Sequence, residues 1–245
     1  MNPHTDQSDF NPPVELQPAG RREPFWDYAD IFLFLFAVVA SLVIATLIGV
    51  VLIKVSRTFL LASQIIVYAL SFTALKVLFL VRYDQPFWRS LAWRSVPLSA
   101  AVGAILAGPV LALALGLLGN ALRTPDISLP FDQLLGSRGA IILLGIVVVV
   151  LGPIAEELAF RGFLMPLLMR SLGVAAGIVL TGVLFGCMHG PEYKWSWQYM
   201  LLISLVGCVF GWARYRTNST LTAAFMHSTF NLTQFAAFLV QSRSL

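Results

Sequence analysis

One run of the chain carries most of the information about its fold class: Gly139-Ala-Ile-Ile-Leu-Leu-Gly-Ile-Val-Val-Val-Val-Leu-Gly-Pro-Ile-Ala-Glu-Glu-Leu-Ala-Phe-Arg161. The run is apolar for most of its length, yet it contains two adjacent glutamates and an arginine. A charged side chain at membrane depth costs several kcal/mol and persists only where it is paired or faces a polar cavity. We therefore interpret Glu156, Glu157 and Arg161 as part of a polar site inside a membrane protein.

The composition of the whole chain agrees with a membrane location. Hydrophobic residues make up 58% of the sequence and charged residues 11%, and the mean hydropathy is +0.81. The apolar residues form continuous runs of about 20, which is the length needed to cross the hydrocarbon core of a bilayer. We predict an all-α fold, a polytopic membrane helical bundle of about seven to eight transmembrane helices. The protein would then be an integral, multi-pass membrane protein, in the plasma membrane if the source is bacterial.

The hydropathy pattern predicts one membrane domain preceded by a tail. Residues 1–27 are polar and rich in Pro, Asp and Gln, which favours a disordered tail. Residues 28–245 would form the helical domain, with a motif-bearing core at about 139–240. The glycine-proline pairs at 108–109 and 152–153 predict kinks or breaks, with a separate short helix after the second pair. The expected spans are 30–53, 58–81, 96–122, 139–170, 174–188, 198–213 and 221–240.

The basic net charge does not indicate a nucleic-acid partner. The formal net charge is +4, but the cations mostly flank the apolar runs, where they act as topology determinants and lipid headgroup contacts. No long basic run is interleaved with aromatic residues, which argues against nucleic-acid binding. Membrane lipid is the expected partner. Glu192 and Lys194 are interpreted as solvated loop charges without a role.

The spacing of the charged residues suggests a division of labour. Glu157 and Arg161 are four residues apart and share one face of a helix, so they are expected to form an ion pair. At about 100° per residue, Glu156 points away from that pair. Glu156 is therefore the carboxylate available to accept a proton from water.

Two later apolar runs each contain a histidine, in the strings Phe185-Gly-Cys-Met-His189 and His227-Ser-Thr-Phe-Asn231. These histidines, Asn231 and Glu156 could surround one water molecule or one metal ion. Imidazole and carboxylate groups suit zinc or another divalent metal, for which Glu156, His189 and His227 are the candidate ligands. An asparagine carbonyl is a poor zinc ligand, and Asn231 is better suited to donate a hydrogen bond to an oxyanion. The sequence is compatible with a metal and with none.

The three strings, in this order, resemble the motif set EExxxR, FxxxH and HxxxN/D of the CPBP family of membrane proteases. That family includes type II CAAX-prenyl endopeptidases, bacteriocin-processing proteins and abortive-infection-type proteins. The resemblance covers about the last hundred residues. It implies an intramembrane endopeptidase that hydrolyses a peptide bond in a peptide or protein substrate, and lipidated substrates are among those of the family.

The resemblance also implies a role for each motif residue. Glu156 would be the general base that activates water, assisted by His189. His227 and Asn231 would hold the oxyanion of the scissile carbonyl, and the Glu157–Arg161 pair would support the site. The family is compatible with a glutamate-dependent or a metal-dependent mechanism.

Two other classes of function also fit parts of the pattern. Intramembrane glutamate and histidine side chains are typical of transporters and proton relays, and glycine-proline breaks near them resemble discontinuous helices. A non-catalytic immunity or assembly scaffold could retain the same fold. The sequence lacks the HExxH, GxSG and GxGD strings of other intramembrane protease classes.

Overall fold

All regular secondary structure in the described part of the chain is helical. The computed structural model describes residues 23–50, 57–127 and 138–242. The helices in chain order are α1 (Tyr28–Ile48), α2 (Arg57–Tyr83), α3 (Phe87–Ser90), α4 (Leu98–Ala121), α5 (Arg138–Leu172), α6 (Val174–Met188), α7 (Trp197–Thr217) and α8 (Thr220–Ser242). The predicted all-α fold is confirmed.

Four helices of the described residues are long and apolar enough to cross a membrane: Tyr28–Ile48, Leu61–Tyr83, Leu98–Ala121 and Arg138–Leu172. Helix α6 is also strongly apolar but has 15 residues. The outer surface of the bundle is apolar as well, since Phe32 and Phe36 on α1 are 71% and 73% exposed. Exposed side chains of this kind are suited to lipid rather than water. The fold is an all-α membrane bundle.

Neither glycine-proline pair ends its helix, so the predicted breaks and the separate short helix after Gly152-Pro153 are wrong. Helix α4 continues through Pro109, and α5 continues through Gly152 and Pro153 without a separate helix after them. Chain direction changes instead at Gly173, which has a φ of 86°, a conformation that glycine adopts at little cost.

The prediction of a disordered tail falls mostly outside the described residues, since the structure describes the chain from residue 23 onward. The last residues assigned to that tail are packed. Trp26 is 3% exposed, and its indole nitrogen donates a hydrogen bond to the Phe163 carbonyl at 3.0 Å. Asp27 caps α1 by accepting hydrogen bonds from the backbone of Ala29 and Asp30, which satisfies amides that have no partner within the helix.

A buried acid joins α1 to α2 at one end of the bundle. The Asp30 side chain is fully buried and forms an ion pair with Arg82, whose Nη1 lies 2.9 Å from Oδ1. The Tyr83 hydroxyl donates to the other Asp30 oxygen at 2.6 Å. An aromatic and aliphatic core lies beside this anchor and brings α1, α2 and α3 against α5. Its buried members are Trp26, Phe34, Leu75, Phe79, Phe87, Leu91, Leu158, Phe163 and Leu167.

Small residues allow α6 and α7 to approach closely. A Cβ at Gly182 would lie 2.8 Å from the Ser204 carbonyl oxygen and 2.9 Å from the Cys208 amide nitrogen. A Cβ at Gly207 on the facing helix would lie 2.9 Å from the α-carbon of Gly182. Glycine at both positions lets the two backbones pack directly, as is common in membrane helix pairs.

Helix α5 contains two π turns, Val147–Leu151 and Leu158–Leu164. Each turn is followed by a proline, Pro153 or Pro166. Proline lacks an N–H and its ring collides with the carbonyl four residues earlier, so it cannot continue an ordinary α-helix without a local change. The π turns accommodate both prolines within one helix, and the Glu156-Glu157 pair lies between the two turns.

Candidate active site

The four candidate catalytic residues line a single cavity of about 470 Å³. Glu156 comes from α5, His189 from the end of α6, and His227 and Asn231 from α8. The cavity is also walled by side chains of α2, α4 and α7. The four candidates, which are separated by up to 75 positions in sequence, therefore face one cavity.

The ion pair expected from the spacing of Glu157 and Arg161 is present and completely buried. Arg161 Nη1 donates to Glu157 Oε1 at 2.9 Å, and both side chains have no solvent exposure. The second arm of the guanidinium, Nη2, donates to the Gly207 carbonyl on α7 at 2.8 Å. The guanidinium carbon also lies 4.5 Å from the ring centre of Phe185. The pair thus connects α5 to α6 and α7.

His227 is oriented by the same glutamate. Its Nδ1 donates to Glu157 Oε1 at 2.9 Å, and its ring stacks on Phe210 with centroids 4.7 Å apart. A carboxylate can only accept, so the proton of this bond belongs to Nδ1. The other ring nitrogen, Nε2, lies 3.8 Å from Glu156 Oε2. Glu157 therefore directs Nε2 of His227 towards Glu156.

His189 is held by its own helix. Its Nδ1 lies 2.8 Å from the Phe185 carbonyl oxygen, four residues earlier. A carbonyl also only accepts, so Nδ1 carries the proton and Nε2 is the nitrogen left for the cavity. The Phe185 ring contacts both imidazoles, with centroid distances of 4.8 Å to His189 and 5.7 Å to His227. The four-residue spacing from Phe185 to His189 thus fixes the ring orientation.

The Asn231 amide binds the backbone of α5. The Gly152 amide donates to the Val147 carbonyl, five residues earlier. With the same spacing the donor to the Val148 carbonyl would be Pro153, which has no N–H. The Val148 carbonyl is left without its helical donor, and Asn231 Nδ2 donates to it at 2.9 Å. An amide carries two N–H groups, so this bond uses one of them. Asn231 is held at the cavity wall by the π turn.

Sequence reasoning missed several polar residues of the cavity, and Tyr68 and Glu192 are two of them. Tyr68 on α2 lines it, and no charge or motif in α2 pointed to that residue. Glu192 also lines it and is half-buried, so its interpretation as a solvated loop charge is wrong. Burial raises the pKa of Glu192 above its ordinary value, and nearby His189 partly offsets this. Lys194 is exposed, as expected.

The described residues do not form a ready metal site. Across 23–50, 57–127 and 138–242, no three His, Cys, Asp or Glu side chains come together in an arrangement that could hold a metal ion. A catalytic zinc normally takes three protein ligands. Glu156, His189 and His227 share a cavity but do not meet this requirement.

Part of the chain matches the model of a known protein family. The family model for the type II CAAX prenyl endopeptidases, Rce1-like, matches residues 138–233, which include all three motifs. No curated protein and no solved structure matches the chain significantly. The match is to a family of membrane endopeptidases and does not favour a transporter. Residues 138–233 are therefore similar to the Rce1-like type II CAAX prenyl endopeptidases, the family whose motifs the three strings resemble.

Proposed function

We propose that the protein is an intramembrane endopeptidase in which Glu156 activates water for attack on a peptide bond. The observation that carries the proposal is the convergence of Glu156, His189, His227 and Asn231 on one cavity. The family match supports the same class of activity.

In the proposed mechanism, Glu156 accepts a proton from water while the water oxygen bonds to the scissile carbonyl carbon. The carbonyl π electrons move to oxygen and form a tetrahedral oxyanion. The intermediate then collapses, the carbon–nitrogen bond breaks, and the proton held by Glu156 passes to the leaving amine. His189 assists from the same cavity, through the nitrogen that is not bonded to Phe185.

His227 and Asn231 are the proposed donors to the oxyanion. His227 is held by Glu157 through Nδ1, and with a proton on Nε2 it donates into the cavity. Asn231 donates with the amide hydrogen that does not bind Val148. Donors held in place before the reaction are effective because they need no reorganisation when the charge develops. Arg161 supports this arrangement by holding Glu157.

The proposed substrate is a peptide or protein in the membrane, and prenylated CAAX-type sequences are the first to test because of the family match. The experiment uses purified protein in liposomes and an internally quenched, farnesylated peptide that ends in a CAAX sequence. We expect Glu156→Gln to abolish cleavage, while Glu23→Gln, at an exposed position far from the motifs, retains it. Cleavage by Glu156→Gln at the wild-type rate would refute the proposal.

A further inference from the structure

The π turn of α5 and Gly152 together create a small space lined by oxygen atoms. Apart from the adjoining residues and the nearby backbone of α5 itself, the three atoms nearest to a Cβ built on Gly152 are all oxygens. They are the Val147 carbonyl at 3.0 Å, Glu156 Oε1 at 3.8 Å and the Tyr68 hydroxyl at 3.9 Å. Since glycine has no side chain, these three oxygens face the same volume at the cavity wall.

The hydroxyl of Tyr68 is available to this space. Tyr68 lies on α2, lines the cavity and is half-buried. Within the described part of the chain its hydroxyl makes no hydrogen bond. The charged group that interacts with it electrostatically is Glu156. A tyrosine hydroxyl in such a position normally finds a partner. The partner that fits is a water molecule placed between it and the glutamate.

The two oxygens of Glu156 have different surroundings. Oε2 is the oxygen nearer to His227, at 3.8 Å from Nε2. Oε1 is the oxygen nearer to the space above Gly152. A water that gives its proton to Glu156 is therefore best placed on the Oε1 side, where His227 does not compete for the carboxylate.

We infer that the space between Val147, Glu156 and Tyr68 seats the water that attacks the peptide bond, and that Tyr68 is a further catalytic residue. The inference rests on the proposed endopeptidase function. The seated water donates one hydrogen to Glu156 Oε1 and the other to the Val147 carbonyl. It accepts one hydrogen bond from the Tyr68 hydroxyl, and its second lone pair faces the cavity.

This arrangement balances the bonding capacity of water. Of its two lone pairs, one is held by Tyr68 and the other forms the new bond to the scissile carbon. The hydrogen on the Glu156 side is the proton that transfers, and Val147 fixes the second hydrogen. Gly152 is required because a methyl group there would occupy the space.

The kinetic test compares Gly152→Ala and Tyr68→Phe with the wild type on the farnesylated peptide. We expect Gly152→Ala to lower kcat by about 100-fold, the scale of a misplaced reacting group. Tyr68→Phe is expected to lower kcat by about tenfold, the scale of one lost hydrogen bond. In both variants KM should stay within about twofold of the wild-type value, because the water and not the substrate is displaced.

Two matched variants separate this effect from a general disturbance of the cavity. Gly116→Ala adds the same methyl group elsewhere on the wall, where a Cβ meets nothing within 4 Å. Tyr199→Phe removes another hydroxyl from the wall, one that donates to the Pro125 carbonyl. Both are expected to keep kcat within about twofold of the wild-type value, since neither faces Glu156 Oε1.

Two outcomes overturn the inference. One is a kcat near the wild-type value in both Gly152→Ala and Tyr68→Phe while Glu156→Gln is inactive, which leaves the endopeptidase function in place. The other needs no activity: an experimental structure of the wild-type protein with ordered waters in the cavity but none bonded to both Glu156 and Tyr68. The expected structure has that water in the wild type and lacks it in Gly152→Ala. Activity in Glu156→Gln would instead refute the proposed function itself.

Discussion

His227 Nδ1 lies 2.9 Å from Glu157 Oε1, the same oxygen that binds Arg161. One buried carboxylate oxygen thus serves a structural pair within α5 and orients a cavity histidine on α8. The second glutamate of the motif supports the site through His227, while Glu156 lines the cavity. Neighbouring residues on a helix point in different directions, and the two glutamates accordingly lie at opposite nitrogens of the His227 ring, Glu157 at Nδ1 and Glu156 at Nε2.

Removing either partner of the Glu157–Arg161 pair should destabilise the protein strongly. Both side chains are fully buried, and a buried charge left without its partner costs about 3–5 kcal/mol. We expect Glu157→Gln and Arg161→Met each to lower the free energy of unfolding by about that amount. The double variant should lose less than the sum of the two single losses. Unfolding in detergent micelles measures these values. Arg89→Met, at an exposed position, is the control, and additive losses would contradict the prediction.

Asn231→Ala should lower stability even in the absence of substrate. The substitution leaves the part-buried Val148 carbonyl without its side-chain donor next to Pro153, and the loss of one hydrogen bond costs about 0.5–1.5 kcal/mol. Asn231→Asp keeps the size of the side chain but replaces the donor with an acceptor, so it should be at least as destabilising. Thermal unfolding checks both against Asn120→Ala, an exposed position. An unchanged melting temperature would show that Val148 does not depend on Asn231.

Glu192 should make stability depend on pH. Because burial raises its pKa in the folded state, the unfolded chain releases this proton at lower pH than the folded protein does. Stability is therefore lost as pH rises from the unfolded pKa through the raised one. Glu192→Gln should raise the melting temperature at neutral pH, and the gain should vanish in acid, where Glu192 is neutral. Glu23→Gln is exposed and should show no such difference; a gain that persists in acid would count against this assignment.

Chelation should leave the proposed cleavage intact. No three metal-ligating side chains come together in the described residues, whereas a catalytic zinc site normally has three protein ligands. We expect elemental analysis of the purified protein to find no stoichiometric metal, and cleavage of the farnesylated peptide to proceed with chelator present. Loss of cleavage with chelator, and its recovery on adding one divalent metal, would reverse this prediction.

Gly182→Ala should separate α6 from α7. The added methyl group would lie 2.8 Å from the Ser204 carbonyl oxygen and 2.9 Å from the Cys208 amide, and backbone atoms cannot move aside as a flexible side chain can. Overpacking of this kind costs about 1–3 kcal/mol. Gly103→Ala is the matched control because a Cβ there meets nothing within 4 Å. Equal melting temperatures for the two variants would mean that the helix pair tolerates the extra volume.

Local features of the chain were readable from the sequence. The lengths of the apolar runs predicted the all-α membrane fold, because a helix needs a fixed number of residues to cross a bilayer. The four-residue spacing of Glu157 and Arg161 predicted their ion pair, since such residues are neighbours on any helix. The spans 174–188 and 221–240 were close to the observed α6 and α8. Each of these features depends on residues that are near one another in the chain.

Only the folded structure shows which side chains line one cavity together. Tyr68 has no neighbouring motif, and Glu192 looked like an ordinary loop charge, yet both line the space that Glu156 faces. The bond from Asn231 to Val148 depends on a π turn that replaced the predicted break at Gly152 and Pro153. Such contacts join helices far apart in the chain, and their geometry depends on how closely the backbones pack, which periodicity and spacing along one helix do not specify.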